Sequence, residues 1–351
     1  MSDFTVVYFK GLAHGFSVPR ILAEFSIFGI PFSIKFYGAI IAFGFLLAVL
    51  FGGRGAYKWK MSLDKMIDVL IYGTILAIIG ARLYYVLSQW SYYRVHLSEI
   101  YRVWEGGLSI YGGLIGGLIA AFIVCKVRKL NFYNLLDLCA MSFLIGQGIG
   151  RWGNFTNQEI FGPNTNLPWG MWSEKTAAFI NSNQAEFIKH GLTIKAGTMA
   201  EKAFVHPTFL YESLWCLLGF AVLYIICRKF RKFSGQIFLC YGVWYGAGRA
   251  VIESFRLDGT AIGSIGITLN QVRSITVAVV CAVLLVILLI KYTKHPKPID
   301  GVDYFSDKEF VKIKKKNAKG KAEEAAENNI ENEDKIEMPE VVQNGGSRND
   351  K

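Results

Sequence analysis

Residues 135–162 read LLDLCAMSFLIGQGIGRWGNFTNQEIFG, and the change of character halfway along this run decides the fold. Up to Gly150 the stretch has the composition of a membrane span. From Arg151 it turns polar and glycine-punctuated, with Arg151, Asn154, Asn157, Gln158 and Glu159 in close succession. An arginine there needs a partner, because a guanidinium at the centre of a bilayer costs about 2.5–3.5 kcal/mol on insertion scales. It either snorkels to lipid phosphates or faces a wet cavity or an anion.

The rest of the chain repeats the apolar theme. Of 351 residues 52% are hydrophobic, and the mean hydropathy is +0.33, too apolar for a soluble domain. Apolar runs near the roughly 20 residues that cross a bilayer recur throughout. The expected class is therefore an all-α, polytopic integral membrane protein. Seven spans are expected, at 36–53, 66–88, 108–125, 135–150, 207–227, 235–254 and 271–290. The fourth is short and needs flanking residues to complete its crossing.

Lysine and arginine in the loops set an orientation. One side receives Arg54, Lys58, Lys60 and Lys65, then Lys126, Arg128 and Lys129, then Arg228, Lys229, Arg231 and Lys232, and finally Lys291, Lys294 and Lys297. By the positive-inside rule that side is cytoplasmic, which puts the N-terminus outside and the C-terminal tail inside. The first 33 residues lack the ordered charged, apolar and small-residue regions of a removed signal peptide.

This divides the chain into an external N-terminal arm (1–33), helices one to four (34–150), an external head segment (151–206) carrying the polar signature at its start, helices five to seven (207–292) and a tail (293–351). The tail turns lysine-rich at KIKKK and then acidic at EEAAENNIENEDKIE, the pattern of a disordered cytosolic segment. Much of the net charge of +11 falls in the basic loops and between 291 and 321, where it suits anionic membrane lipids and not nucleic acid. The six cysteines lie in or beside apolar segments, with no C-x-x-C pair and no neighbouring histidines. They read as packing residues, so neither a thiol nucleophile nor a zinc or other metal site from this chain is expected.

Placed on this topology, the intramembrane charges gather at one level. Arg82, Arg151, Glu212, Arg249, Glu253 and Arg256 all fall towards the external ends of their spans, and the inner half offers nothing comparable. Arg249, Glu253 and Arg256 stand at i, i+4 and i+7, with Tyr245 one turn earlier, so they share a helical face. A purely structural ion-pair network is one reading of this cluster. A site for an anionic ligand from the outer leaflet is the other, and fits better. The run GGLSIYGGLIGG at 106–117 places Gly112, Gly113, Gly116 and Gly117 as overlapping G-x-x-x-G pairs, a pattern for close helix packing, with Tyr111 at the external end.

Several segments carry a family resemblance. GRWGNFTNQEIFG at 150–162 resembles the signature of the prolipoprotein diacylglyceryl transferases, bacterial enzymes of lipoprotein maturation. IKFYGAIIAFGF at 34–45, GARLYYVL at 80–87, WEGGLSIYGGLIGG at 104–117, HPTFLYES at 206–213 and YGAGRAVIESFR at 245–256 resemble that family's other motifs, in its order. The resemblance covers roughly residues 27–290. It implies an enzyme of the bacterial cytoplasmic membrane that takes diacylglycerol from phosphatidylglycerol. The acceptor is the lipobox cysteine thiol of a prolipoprotein signal peptide, and sn-glycerol 1-phosphate is released. No cofactor is implied.

Carried over by residue, the family's functional positions fall on Tyr37, Arg151, Asn154, Glu159, Gly162, Tyr245, Arg249, Glu253 and Arg256. The chain departs from the pattern at Tyr111, where many members carry a histidine proposed as the base. Arginine forks match phosphate oxygens in a bidentate way and stay charged, so Arg151 and Arg249 are expected to bind the head group and stabilise the leaving phosphate. Asn154 adds a neutral donor, Glu159 and Glu253 are expected to orient the arginines, and Tyr37 and Tyr245 to bond glycerol or peptide. Tyr111, Glu159 and His206 are the candidate proton acceptors, although His206, next to Pro207, suits the start of a helix. The rival function is a transporter or channel for an anionic solute. That architecture favours charges at the bilayer midplane, broken helices and internal repeats, and no repeat is evident here. A non-catalytic lipid-binding scaffold is a third reading, and would not need the full set of Arg, Asn and Glu.

Overall fold

The computed structural model describes residues 4–27, 30–59, 61–189, 192–256 and 267–295. The chain divides into two units, Met1–Val302 and Asp303–Lys351, and everything below concerns the first. The tail read as disordered lies outside the described residues almost entirely.

Among the described residues ten α-helices dominate: α1 (Phe36–Lys58), α2 (Leu63–Ser88), α3 (Trp90–Tyr93), α4 (Ile110–Arg128), α5 (Phe132–Asn157), α6 (Glu174–Ser182), α7 (Gln184–Lys189), α8 (Thr208–Lys229), α9 (Gln236–Glu253) and α10 (Leu269–Lys294). Each of the seven expected spans coincides with one long helix. Among the described residues, six of these (α1, α2, α4, α5, α8 and α10) are long and apolar enough to cross a membrane by length and composition. The seventh, α9, falls short because its 18 residues include Gln236, Arg249 and Glu253 and three glycines. It is nevertheless held among α5, α8 and α10. The short fourth span completes itself as supposed, since α5 continues through the polar signature to Asn157.

Glycines govern the helix packing. A Cβ on Gly80 of α2 would lie 2.5 Å from the carbonyl oxygen of Gly112, and one on Gly112 would lie 2.2 Å from that of Gly80. Backbone therefore meets backbone between α2 and α4, as the overlapping glycine pairs require. Between α8 and α9 the device is different. Trp215 Nε1 donates to the Trp244 carbonyl at 3.1 Å and Trp244 Nε1 to the Trp215 carbonyl at 3.0 Å, with the rings stacked 4.5 Å apart. Each indole lies over a glycine of the opposite helix, Gly248 or Gly219, where no side chain would fit.

The described residues also include five short strands, which the apolar pattern does not announce. β1 (Phe4–Phe9) pairs antiparallel with β2 (Phe16–Pro19) and with β5 (Met171–Ser173), opposing Tyr8 to Trp172. β3 (Ile21–Ile27) and β4 (Ile30–Lys35) form a separate hairpin that leads into α1. Residues 4–19, read as part of an arm, thus share a sheet with the segment between α5 and α8. Val7, Val18, Phe161, Met171, Trp172, Ile180, Val205 and Phe209 form the buried core of that small head.

The end of the bundle remote from Arg151, expected to lack paired charges, corrects that expectation. Asp137, wholly buried on α5, accepts from Arg231 Nε at 3.0 Å and Nη2 at 2.7 Å, and from the backbone N–H groups of Gly235 and Phe238 at 2.8 and 2.9 Å. Arg231 also reaches Asn134 Oδ1 at 2.6 Å. A charge pair does exist at that end, and it fixes the α8–α9 turn against α5. Arg231, a loop cation by sequence, is thus a buried structural partner.

Candidate functional site

The site is built from the ends of α5, α8 and α9 and the loop after α5. Helix α5 stops where Gln158 takes a left-handed conformation (φ 50°), and Ile160 repeats it (φ 59°). A β-branched residue is costly there, and such strain persists only where surrounding contacts over-determine it. Those contacts are visible: Thr208 Oγ1 donates to the Ile160 carbonyl at 2.5 Å, Gly162 N–H to the His206 carbonyl at 2.9 Å, and His206 N–H to the Pro163 carbonyl at 3.0 Å. Glu159, between the two strained residues, accepts from Asn154 Nδ2 at 3.0 Å and Asn157 Nδ2 at 3.3 Å. It is oriented by amides of its own motif, and no arginine pair with it is seen among the described residues.

The carboxylate that gathers the arginines is Glu212. Its Oε2 meets Arg151 Nη2 at 2.5 Å, its Oε1 meets Arg249 Nη1 at 2.9 Å, and Arg256 Nη1 stands 3.7 Å from Oε1. Glu253 forms the second anchor, with Oε2 2.8 Å from Arg249 Nη2 and 3.6 Å from Arg256 Nε. Asn270 Nδ2 on α10 donates to Glu253 Oε1 at 3.0 Å. Both glutamates are buried, whereas the Arg151 side chain keeps 20% exposure. Buried glutamates thus hold guanidinium groups from α5 and α9 side by side, with Arg151 giving Glu212 one nitrogen.

The remaining expected residues cluster around this frame. Tyr37 on α1 lies against Gly153, where an added Cβ would come within 3.0 Å of its ring. Tyr245 stacks on Tyr241, ring centres 5.6 Å apart, one turn before Arg249. Gly162 sits where a Cβ would be 2.7 Å from the Phe255 carbonyl oxygen and 2.8 Å from His206 Cβ, so the loop is threaded without room for a side chain. His206 Nδ1 lies 2.9 Å from the Tyr211 hydroxyl, and burial lowers its pKa below the usual histidine value.

Two expected members stand apart. The Tyr111 hydroxyl takes a hydrogen bond from Arg273 Nη1 on α10 at 2.7 Å, and that guanidinium lies 5.0 Å from the ring centre. Arg82 does not join the other arginines at all. It donates to the carbonyls of Glu99, Ile100, Gly106 and Gly107 at 2.6–3.1 Å, and so shapes the loop between α3 and α4.

From the head, Lys175 near the start of α6 donates to the Asn157 carbonyl at 2.5 Å. Its pKa is lowered, by burial first and then by Arg20, while Glu159 opposes the shift. Among the described residues no three His, Cys, Asp or Glu side chains come together as a metal cage requires. The chemistry the frame offers is anion binding by planar, fixed donors.

The sequence places Glu212 among the external charges but gives it no partner, and it gives no role to Asn270, Gln147, Tyr241 or Arg273. A carboxylate at an apolar helix start signals Glu212, but nothing in one sequence says that it bridges α5 and α9.

Comparison with known proteins finds relatives along most of the chain. The family model for prolipoprotein diacylglyceryl transferase matches residues 25–287. A Listeria innocua protein named phosphatidylglycerol-prolipoprotein diacylglyceryl transferase is 38% identical over 285 residues, 81% of this chain and 93% of that one. Proteins of the same name from Streptococcus equi subsp. zooepidemicus (38% over 278 residues, 79% and 96% of the two chains) and Ligilactobacillus salivarius (42% over 241 residues, 68% and 83%) are similar too.

Proposed function

The chain belongs to the prolipoprotein diacylglyceryl transferase family, a group of membrane transferases in lipoprotein biosynthesis, and from that premise we propose how its own residues carry the reaction. It moves the diacylglyceryl group of phosphatidylglycerol to a prolipoprotein. The acceptor is the thiol of the lipobox cysteine. Sulfur attacks the glyceryl carbon that bears the phosphate ester, a C–S bond forms, and the C–O bond breaks with its electrons going to the phosphate oxygen. The products are the thioether and sn-glycerol 1-phosphate, and the thiol proton passes to a base or to the leaving phosphate.

The observation that carries this reading is the shared carboxylate of Glu212, with Arg151 on one oxygen and Arg249 on the other. Two guanidinium groups repel each other unless an anion lies between or before them. Glu212 holds the two together, and Arg151, which gives it one nitrogen, has further N–H donors for a second anion, the phosphodiester. As charge builds on the leaving phosphate, donors already in place stabilise it with little reorganisation. Asn154, Glu253, Arg256, Tyr37 and Tyr245 complete the head-group site, with Gly162 and His206 shaping its rim. Tyr111 is the proposed proton acceptor, with Glu159 the alternative closest to Arg151 in sequence. The basic loops support an orientation with this end of the bundle facing outward, the N-terminus outside and the tail in the cytoplasm.

The test is direct. Purified protein, given phosphatidylglycerol vesicles and a lipobox peptide alone, is expected to release glycerol phosphate and to add one diacylglyceryl mass to the peptide cysteine. Failure to do so in folded protein overturns the proposal.

A further inference from the structure

Beneath the arginines lies a second polar layer that the reaction as described does not use. On α5, Gln147 precedes Arg151 by four residues, and on α9, Tyr241, Tyr245 and Arg249 follow at successive steps of four. Each set therefore lies along one helical face. The faces meet, because Gln147 Nε2 donates to the Tyr241 hydroxyl at 3.0 Å and Tyr241 stacks on Tyr245. A polar strip thus runs from the arginines about one turn, ~5.4 Å, deeper into the bundle along α5.

The strip is incompletely satisfied. Gln147 Oε1 is buried, and nothing among the described residues donates to it. Turning the amide over exchanges the unmet acceptor for an unmet donor. An unmatched buried polar atom costs about 1–3 kcal/mol, more than helix packing alone explains in an otherwise apolar bundle. The Tyr241 oxygen receives the amide, so its own proton is available to an acceptor. One acceptor and one donor side by side are met together by a hydroxyl group, which gives its proton to Gln147 and takes one from Tyr241.

We propose that Gln147 and Tyr241 form the subsite for a hydroxyl of the phosphatidylglycerol head-group glycerol, and so determine which phospholipid is used. This rests on the transferase reading above and deepens it. With phosphate held at Arg151 and Arg249, a glycerol on the far side of the phosphorus reaches one helical turn, and its hydroxyls are the donor groups that the lipid possesses. A site built around a hydroxyl rejects an analogue lacking it, because its polar atoms are then buried unpaired.

The experiment compares transfer from vesicles of phosphatidylglycerol with transfer from vesicles of phosphatidylpropanol bearing the same acyl chains, to one lipobox peptide. Wild-type protein is expected to favour phosphatidylglycerol by at least about tenfold, the worth of ~1.4 kcal/mol. In Gln147→Leu and Tyr241→Phe, the second of which keeps the stacked ring, that ratio is expected to fall towards one while the peptide KM holds. A wild-type ratio near one, or a ratio that survives in both variants, overturns the subsite and leaves the transferase reading intact. A raised peptide KM at constant lipid ratio also overturns it, by assigning the layer to the peptide. Absence of transfer from either lipid by wild-type protein overturns the underlying reading as well.

Discussion

Arg273 gives a hydrogen bond to the hydroxyl oxygen of Tyr111 at 2.7 Å, tying the start of α10 to the start of α4. These helices otherwise pack against different partners, α10 on α9 and α4 on α2. The Tyr111 phenol is therefore held by a cation from a helix that carries no site residue in the sequence reading. If Tyr111 accepts the thiol proton, Tyr111→Phe lowers turnover by about 100-fold or more, as loss of a general base does, with little change in peptide KM. Tyr111→His then recovers much of the rate, since imidazole titrates near neutrality. Wild-type turnover by Tyr111→Phe would make Tyr111 an anchor for Arg273 and move the search to Glu159 and His206.

Arg151→Lys is expected to be nearly as harmful as Arg151→Ala. An ammonium cannot hold Glu212 and present a planar edge to phosphate at once, so losses of about 100-fold are expected for both. Arg54, on α1 near the end remote from Arg151, is the control. Comparable transfer by Arg151→Lys and wild-type protein at matched expression removes Arg151 from the mechanism.

Glu212→Gln tests the frame and not the chemistry alone. Removing one partner of a buried ionic group costs about 3–5 kcal/mol, because the remaining charges stay buried. A lower Tm in detergent should accompany the loss of activity, and Glu212→Asp should recover stability before turnover. A Tm equal to wild type in Glu212→Gln contradicts the shared-carboxylate account.

Gly162→Ala is expected to lose about 1–3 kcal/mol of stability together with activity, since its methyl would press on the Phe255 carbonyl and His206. Gly38, whose added Cβ would meet no atom within 4 Å, is the matched control. Equal thermal stability of the two alanine variants would show that the signature loop moves aside freely.

His206 sets a pH dependence. Burial lowers its folded pKa below about 6.5, the unfolded value, so between the two values the unfolded chain binds more protons. Stability therefore falls as pH drops through that window, and the penalty is complete below the folded pKa. His206→Gln should flatten this part of the Tm profile. An unchanged profile assigns the acid sensitivity elsewhere.

Much of this architecture was legible because apolar length and loop charge act locally. The seven long helices, the Gly112 and Gly116 contact surface and the shared face of Tyr245, Arg249 and Glu253 all follow from spacing within one segment, whereas Arg256, expected on that face, lies past the end of α9. What escaped depends on how segments meet. The pairing of Phe4–Phe9 with Met171–Ser173 joins strands more than 160 residues apart, and three-residue β5 is too short to show a period. Arg82 and Arg151 look alike in sequence, yet one serves four loop carbonyls and the other a buried glutamate. Asp137, within α5, takes its partner Arg231 from the turn between α8 and α9, a pairing that no spacing along α5 announces.

The bond between Arg151 and Glu212 also constrains how the protein is made. Helix α5 is the least apolar of the six candidate spans and emerges before α8 during synthesis. Its arginine must therefore enter the bilayer, or wait at its edge, before its counter-ion has been translated. Insertion of α5 is expected to be completed only when α8 follows. A nascent chain halted before Glu212 should keep Arg151 open to water-soluble thiol labelling of a cysteine placed beside it, whereas the full-length chain should shield it.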